Sequence, residues 1–472
     1  MRKYIFLLLF LSFSTTSFAY DFESDGLYYN IVDGEMWDVD YPTVEITYDN
    51  DSETRDNHYG VRTVIVPDKV RYEGVLYHVI GVGKATFKPT NYVSLSSLIL
   101  PEGLLYLDDN AIGGRTLPLS TLIIPSTVTT IGRNAFASSN LKKIVLPSSV
   151  SYLGQKAFGS CYSLESVILS GNLSAIYPET FYGCTKLETI NIPEGITRIG
   201  ISAFQGCTSL ESVGLPSSLE VLESGAFQEC SRLSSIRLPD NLQEIGGQAF
   251  YRCTHLANIN IPRGLKKIGP YAFSQMPIQS FTSPAAVKEI PYNCFFYADL
   301  KSVTLTNVEK VGLSAFEFNE LLHTLRIEGS GALEIENRAF SGCKHLSDVY
   351  CLTDAVPKAA PLAFADYEYS IVGEGGHLWP ASLISETGIA EQATLHVHAA
   401  LLRQFKNTYP WSEFKSIVAI EDETAIGPIA IDDESSSTRR VYDLVGRLRR
   451  AAQPGLNVIV GSDGRGRKVM VK

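Results

Sequence analysis

Apolar residues return along this chain at a spacing far longer than the period of a helix or a strand. A phenylalanine, usually preceded by alanine, recurs every 21 to 25 residues, and five consecutive steps are 23 residues long. Fixed spacings of this size are typical of stacked repeats, so we expect the chain to grow by repetition instead of forming one large core. The thirteen anchor positions are Phe87, Ile112, Phe136, Phe158, Phe181, Phe204, Phe227, Phe250, Phe273, Phe295, Phe316, Phe340 and Phe364.

A second apolar block keeps phase with the anchors. It has the form Leu210-x-x-Val213-x-Leu215, is commonly followed by proline, and precedes an isoleucine–glycine step such as Ile245-Gly246. Alternating apolar residues predict a strand with one buried face, proline ends that strand, and glycine permits a tight turn. A unit of about 23 residues cannot bury this face alone, so we expect the units to stack into a parallel sheet, with one strand per unit.

The combined pattern, L-x-x-I-x-L-P followed by I-G-x-x-A-F-x-x-C, resembles the repeat of BspA-like leucine-rich-repeat proteins, which are bacterial surface proteins. The resemblance extends over about residues 60–420. It implies a β-rich leucine-rich-repeat solenoid with a parallel sheet, an N-terminal capping module, a C-terminal α/β cap and a short β tail. The cap should contain a short helix with Leu401, Leu402 and Phe405 on one face, and His398 stands where the family usually has proline.

The first residues have the form of a secretion signal. Arg2 and Lys3 precede a mostly apolar run over residues 4–13, and small side chains lead to a cleavage site near Ala19-Tyr20. The run is too short for a membrane span, and no later stretch reaches about 18 consecutive apolar residues. We therefore predict a protein that is secreted or held at the outer cell surface, without a transmembrane segment.

Charge excludes one class of partner. The net charge of −11 becomes −13 when Arg2 and Lys3 are removed with the signal. Nucleic-acid binding depends on neutralising phosphates with basic side chains, so we predict no nucleic-acid partner.

Composition and repeat phase divide the chain into six segments. After residue 420 the sequence is first acidic and then basic, with nine basic and two acidic side chains in the last segment, a net charge of +7. That segment resembles the end of C-terminal sorting domains of the type IX secretion system and predicts three short strands; the alternative is a basic tail that docks on the acidic body. The predicted segments are a signal peptide (1–19), an N-terminal capping module (20–86), leucine-rich repeats (87–392), a C-terminal cap (393–420), an acidic linker (421–438) and a basic β tail (439–472).

Six cysteines lie three residues after an anchor phenylalanine, and serine, methionine or asparagine falls near this position in other units. A column of small buried thiols explains this regularity, and Cys294 and Cys351 also fit core positions. Disulfides between stacked units are the alternative, because an exported chain meets oxidising surroundings. A zinc site is disfavoured because every gap spans a whole unit. The six are Cys161, Cys184, Cys207, Cys230, Cys253 and Cys343.

Catalytic and metal-binding patterns are not found in the sequence. The eight histidines are scattered, and the pair His396-x-His398 offers two ligands without a third. Glu165, Glu188 and Glu211 repeat at 23-residue spacing, which predicts a solvated row of carboxylates. We predict a protein that is not an enzyme and that has no cofactor, no metal site and no disulfide.

Two regions are candidate ligand-binding surfaces. The first is a run of outward positions in successive strands: Ile99, Ile123, Val145 and Ile168, followed by the polar series Asn191, Gly214, Arg237 and Asn260. The apolar run could be a partner site, could stabilise the sheet through neighbouring β-branched side chains, or could be covered by the capping module. The second region is residues 365–392, which break the rhythm and predict a projecting loop with Tyr367, Tyr369 and Trp379.

These features predict an exported, non-catalytic leucine-rich-repeat protein that binds a macromolecular partner, a protein or a glycan of host or bacterial origin, at the cell surface. Two alternatives stay open. One is a structural component of a surface assembly in which the solenoid associates with its own kind. The other is a glycan-binding or enzyme-accessory module.

Overall fold

The computed structural model describes residues 20–48, 60–87, 92–329, 332–372 and 377–420, together with four strands after residue 439. Side chains are described up to residue 420, except for 368–382. The predicted signal peptide and acidic linker lie outside these ranges.

The repeats form a solenoid of about 14 turns of ~23 residues, as the spacing of the anchors predicts. Most turns contribute two short parallel strands, and not one. The first strand of each turn is the predicted apolar block, and the second is the isoleucine–glycine step. Pairing advances by one repeat, so Ile190 lies opposite Val213 in the first set and Leu222 opposite Ile245 in the second.

The first strands are Thr63–Ile65, Ser97–Ile99, Lys143–Val145, Ser166–Ile168, Thr189–Asn191, Ser212–Gly214, Ser235–Ile236, Ser280–Thr282, Ser302–Thr306, Thr324–Gly329, Asp348–Thr353, Thr394–His398 and Ser416–Ile420. The second strands are Val75–Val82, Tyr106–Leu107, Thr130–Ile131, Tyr152–Leu153, Ala175–Ile176, Arg198–Ile199, Val221–Leu222, Glu244–Ile245, Lys267–Ile268, Glu289–Ile290, Lys310–Val311, Glu334–Ile335 and Lys358–Ala359.

The glycine after the isoleucine has a different role from the predicted one. It does not adopt a left-handed backbone; it lets two turns approach closely. A Cβ at Gly154 would lie 2.5 Å from the carbonyl carbon of Gly132 in the preceding turn, and a Cβ at Gly269 would lie 2.2 Å from the amide nitrogen of Gly247. Left-handed residues flank the anchor instead, as Ser202 (φ 52°) and Gly206 (φ 73°) do on either side of Phe204.

The anchor phenylalanines form the centre of the core. Neighbouring rings from Phe136 to Phe364 stack nearly parallel, with centroids 5.1 to 6.0 Å apart. Each ring is inaccessible to solvent. Because every ring contacts the copy before it and the copy after it, the core is a continuous column instead of a set of separate clusters.

The N-terminal residues extend both sheets of the solenoid. An antiparallel meander leads into the strand Val75–Val82, which pairs with the second strand of the first full turn. Thr63–Ile65 pairs with Ser97–Ile99 in the first-strand set. The remaining strands here are Phe22–Ser24, Leu27–Val32, Thr43–Thr47 and Lys69–Tyr72, with a 3-10 helix at Gly34–Trp37.

The C-terminal cap closes the other end of the column. Its α-helix, Leu402–Phe405, buries Phe405, and Trp411 packs against the last anchor, Phe364, while its indole Nε1 donates to the Pro357 carbonyl. His398 has φ −59°, within the range to which proline is restricted, so the backbone keeps the geometry that the resemblance implies. The 3-10 helices of the cap are Ala390–Gln392, Ala399–Leu401 and Trp411–Glu413.

Two regions that depart from the repeat pattern of the sequence nevertheless contain paired strands. The segment predicted as a projecting loop is an antiparallel hairpin of Asp366–Val372 and His377–Ser385. The predicted three-stranded tail has four antiparallel strands, because its first predicted strand is divided. They are Arg440–Tyr442, Leu448–Arg449, Gly455–Val460 and Gly466–Val471. Across the described ranges, the helices are all too short to cross a membrane.

Candidate functional site

The outward-facing apolar residues hold the same repeat position on successive turns, and all of them are exposed. The exposed fraction is 50% for Ile99, 86% for Ile123, 56% for Val145 and 61% for Ile168. Parallel pairing places Val145 directly opposite Ile168, and the bridge between Thr121 and Lys143 continues the same register to Ile123. Ile123, Val145 and Ile168 therefore follow one another in register, and Ile99 holds the same repeat position one turn earlier.

Ile65 adds a fifth member to this row. It pairs with Ile99 and is 64% exposed. The sequence analysis did not include Ile65, because this residue precedes the first clear repeat. The pattern Val64-x-Val66-Pro67 is nevertheless that of the other strands and leaves Ile65 facing outward. We call Ile65, Ile99, Ile123, Val145 and Ile168 the apolar strip.

The described part of the N-terminal module does not cover the apolar strip; it extends the strip through Ile65. The large exposed fractions exclude burial by the ranges described. Five β-branched side chains at strand spacing span about 19 Å. A row of exposed apolar side chains of this kind is a candidate interaction surface.

Beyond Ile168 the same row becomes polar. Asn191 follows, and Gly214 carries no side chain, so the amide oxygen of Asn191 lies over it. Further along, Tyr350 stacks on His396, with ring centroids 4.4 Å apart, and His396 Nε2 lies 3.0 Å from Asp348 Oδ1. The sheet face is thus divided into an apolar N-terminal part and a polar C-terminal part.

The second candidate region is the hairpin near the C-terminal cap. Its pairing places Tyr369 opposite Pro380 and Trp379 opposite Ser370, on neighbouring rungs. Tyr367 is half-buried, and the Arg338 guanidinium carbon lies 5.5 Å from the centre of its ring. Tyr367 therefore helps to hold the hairpin to the repeats, and the side chains of Tyr369 and Trp379 lie outside the described set.

The cysteine column is buried and is bonded to the backbone. Each of the six thiols donates to the carbonyl oxygen of an anchor phenylalanine in a preceding turn, with Sγ···O distances of 3.1 to 3.3 Å. Asn319, at the same repeat position, donates to the Phe295 carbonyl. A small donor is therefore what this position needs, and Cys294 and Cys351 are buried as expected.

We expect the thiols to react slowly in the native protein. Burial raises the pKa of Cys207 to about 12, so the reactive thiolate is scarce at neutral pH. A colorimetric thiol titration should show little reaction until denaturant is added, and then release most of the eight thiols. Bonds such as Cys184–Cys207, found in stoichiometric amount by mass spectrometry of protein from its natural compartment, would contradict this.

The remaining polar candidates form no catalytic arrangement among the described residues. Glu188 and Glu211 are exposed, and Arg232 pairs with Glu211 at 2.8 Å, as expected for a solvated row. No group of three or more metal-ligating side chains occurs within the part of the chain that the structure covers.

Short parallel strands, turns of about 23 residues and a phenylalanine column define a leucine-rich-repeat protein. The model of the BspA type leucine-rich repeat region matches the chain in overlapping stretches, 78–188, 106–234, 174–301 and 220–347, with six copies. The chain belongs to this family, whose members are typically surface-associated repeat proteins without catalytic activity.

Solved structures of leucine-rich-repeat proteins and bacterial surface proteins are similar to this chain. A leucine-rich-repeat protein from Bacteroides ovatus is 24% identical, with 85% of this chain and 100% of that chain covered and a TM-score of 0.61. The pneumococcal vaccine antigen PcpA is 17% identical (86% and 98% covered, TM-score 0.47). A leucine-rich cell surface protein from Faecalibacterium prausnitzii is 22% identical (72% and 89%, TM-score 0.42). No curated protein matches the chain significantly.

Proposed function

We propose that this protein is exported, is not an enzyme, and binds a protein partner at the bacterial cell surface through the apolar strip. The observation that carries the proposal is the exposure of β-branched side chains at the same repeat position of five successive turns, ending where Asn191 begins the polar part of the row. The family supports the surface location, and the sequence of residues 1–19 supports export.

The chemistry of the strip favours a protein over a glycan. Isoleucine and valine side chains provide no hydrogen-bonding groups for hydroxyls and no planar ring for a sugar face. They do match the apolar centre of protein interfaces, which is surrounded by a polar rim. Lys143, on the strand that carries Val145, and Glu188, just before the strand Thr189–Asn191, are exposed near the strip and would contribute to such a rim.

The strip alone is smaller than a stable interface. Standard interfaces bury roughly 800 Å² on each partner, and an exposed apolar patch of this kind amounts to a few hundred Å². The strip is therefore the expected centre of a larger contact, where a few side chains contribute most of the binding energy.

We expect Ile123→Asp to weaken partner binding at least tenfold, because it places a charge in the apolar centre of the contact. The measurement is binding to an array of purified extracellular-matrix and bacterial surface proteins, followed by affinity determination for each positive. Ile201→Asp is the matched control, since Ile201 is also an exposed isoleucine (51%) but lies outside the strip. It should leave affinity within about twofold.

Three results would contradict the proposal. Equal binding by wild type and Ile123→Asp would exclude the strip. Loss of binding in Glu188→Ala alone, with binding abolished by salt, would place the site on the carboxylate row. Loss in Trp379→Ala alone would place it on the hairpin.

Self-association is the second candidate function, because a second copy could cover the same strip. Light scattering across a concentration series separates the two. Association of the wild type that is abolished by Ile123→Asp would replace a foreign protein partner with another copy of this chain.

A further inference from the structure

A cavity of about 390 Å³ lies where the N-terminal module meets the first turns. This volume is within the range of sites that hold small ligands, roughly 300–1,000 Å³. The cavity is separate from the apolar strip, since none of the strip residues lines it. Its lining includes Asp33, Met36, Trp37, Glu45, Tyr106 and Tyr152.

Aromatic rings form one wall of the cavity. Trp37 stacks on Tyr106, with ring centroids 4.4 Å apart and planes within 9° of parallel. The Tyr106 ring occupies space left by Gly81, where a Cβ would lie 2.1 Å from the ring. Tyr152 of the next turns and the exposed Met36 complete the apolar lining.

Carboxylates supply the polar part of the lining. The Tyr106 hydroxyl donates to Glu45 Oε2 at 2.8 Å, and the Asn30 amide donates to Glu45 Oε1 at 3.4 Å. Burial raises the pKa of Glu45, and the charge of Asp108 raises it further, although the two hydrogen bonds and Lys84 act in the opposite direction. A nearby positive charge would therefore favour the ionised form of Glu45.

The other acidic residues add to this negative field. Asp33, Asp108 and Asp109 accept hydrogen bonds from backbone amides, which hold the carboxylates in place without neutralising them. The lining contains four acidic residues and neither lysine nor arginine. An anionic ligand such as a phosphate or an acidic sugar would be repelled.

We infer that this cavity binds an organic ammonium ion, whose charge faces Glu45 and whose alkyl chain lies against Trp37. Aromatic faces attract cations, and a carboxylate in a partly buried site strengthens that attraction. An organic cation fits better than a metal ion, because the carboxylates do not form a group that could ligate one within the described residues. The ammonium could come from a free amine or from the side chain of a lysine in a peptide.

Titration calorimetry of the full chain at fixed ionic strength tests the inference. The probes are n-butylammonium chloride, its neutral isostere butan-1-ol, and lysine with both backbone ends blocked. We expect n-butylammonium to bind and butan-1-ol to bind at least tenfold more weakly. If blocked lysine binds more tightly than n-butylammonium, the ligand is the lysine side chain of a peptide. If n-butylammonium binds more tightly, the ligand is a free amine.

Two substitutions address the two parts of the cavity. Glu45→Gln keeps the shape of the side chain and removes its charge, so affinity for n-butylammonium should fall about tenfold or more. Trp37→Leu removes the aromatic face and should lower affinity by about fivefold. Glu102→Gln, an exposed carboxylate on a nearby turn, is the matched control and should have no effect.

The inference is overturned if the wild type does not bind n-butylammonium, if butan-1-ol binds equally well, or if Glu45→Gln and Glu102→Gln behave alike. Binding of a neutral sugar such as glucose at Glu45, without binding of the ammonium, would also overturn it. If Glu45→Gln lowers the melting temperature, its loss of affinity could come from a change in folding. Trp37→Leu then decides, because Trp37 is only half-buried. These variants leave the apolar strip intact, so failure here is distinct from failure of the proposed function.

Discussion

Replacing Phe227 with alanine is expected to destabilise its own part of the solenoid by about 3–5 kcal/mol. The Phe227 ring is inaccessible to solvent and stacks between Phe204 and Phe250, with centroids 5.2 and 5.7 Å away. The substitution removes both contacts and leaves a cavity in the column. The phenylalanine column is the core of these turns, so we expect no other packing to compensate for the lost ring contacts.

The effect should be local, because each turn of a stacked array contacts its immediate neighbours. Amide hydrogen exchange measures this turn by turn. Protection should fall most around Phe204 to Phe250 and recover toward both caps. Tyr292→Ala, at a half-exposed tyrosine, is the control and should cost far less. Uniform loss of protection over the whole array would contradict the repeat description.

Replacing Arg338 with methionine is expected to cost about 3 kcal/mol. Glu317 is inaccessible to solvent, and Arg338 donates to both of its carboxylate oxygens, with N···O distances of 2.7 to 3.0 Å. Methionine keeps much of the apolar stem but removes the positive charge. A buried carboxylate then loses its ion pair, which is more costly than the absence of both charges.

Two further variants serve as controls for this prediction, one at an exposed ion pair and one that removes both charges of the buried pair. Lys156→Met breaks the pair with Glu179, in which both side chains are about one-third exposed, and should cost less than about 1 kcal/mol. The double variant Glu317→Gln with Arg338→Met should recover much of the loss, because no charge is left buried. Chemical unfolding followed by hydrogen exchange near Phe316 and Phe340 measures each variant. An Arg338→Met cost no larger than that of Lys156→Met would mean that Glu317 does not depend on this partner.

The repeated part of the fold was predictable because it depends on a local pattern. The spacing of Phe204 and Phe227 determines the number of residues in one turn, and the alternation in Val213-x-Leu215 determines which side chains face inward. The second strand of each turn was missed because it has two residues, as in Leu222 preceded by Val221, which is too short for a period of two to be visible.

The apolar strip was predicted in part for the same reason. Once inward positions are known, Ile99 and Ile123 must point outward. The pattern does not show whether another part of the chain covers these side chains. In the described residues, the N-terminal module does not cover them; it extends the strip through Ile65.

By itself, the sequence determined the features that repeat: the number of residues in each turn, the phenylalanine column, the buried thiols and the outward direction of the strip. These follow from periodicity, because every copy meets the same neighbours. The tertiary structure alone decided what does not repeat. Glu45, Tyr106 and Tyr152 meet in one cavity although they are far apart in sequence, and Arg338 reaches the buried Glu317 of the preceding turn. Such contacts depend on how one module is placed on another and on single side-chain directions, which no local pattern encodes.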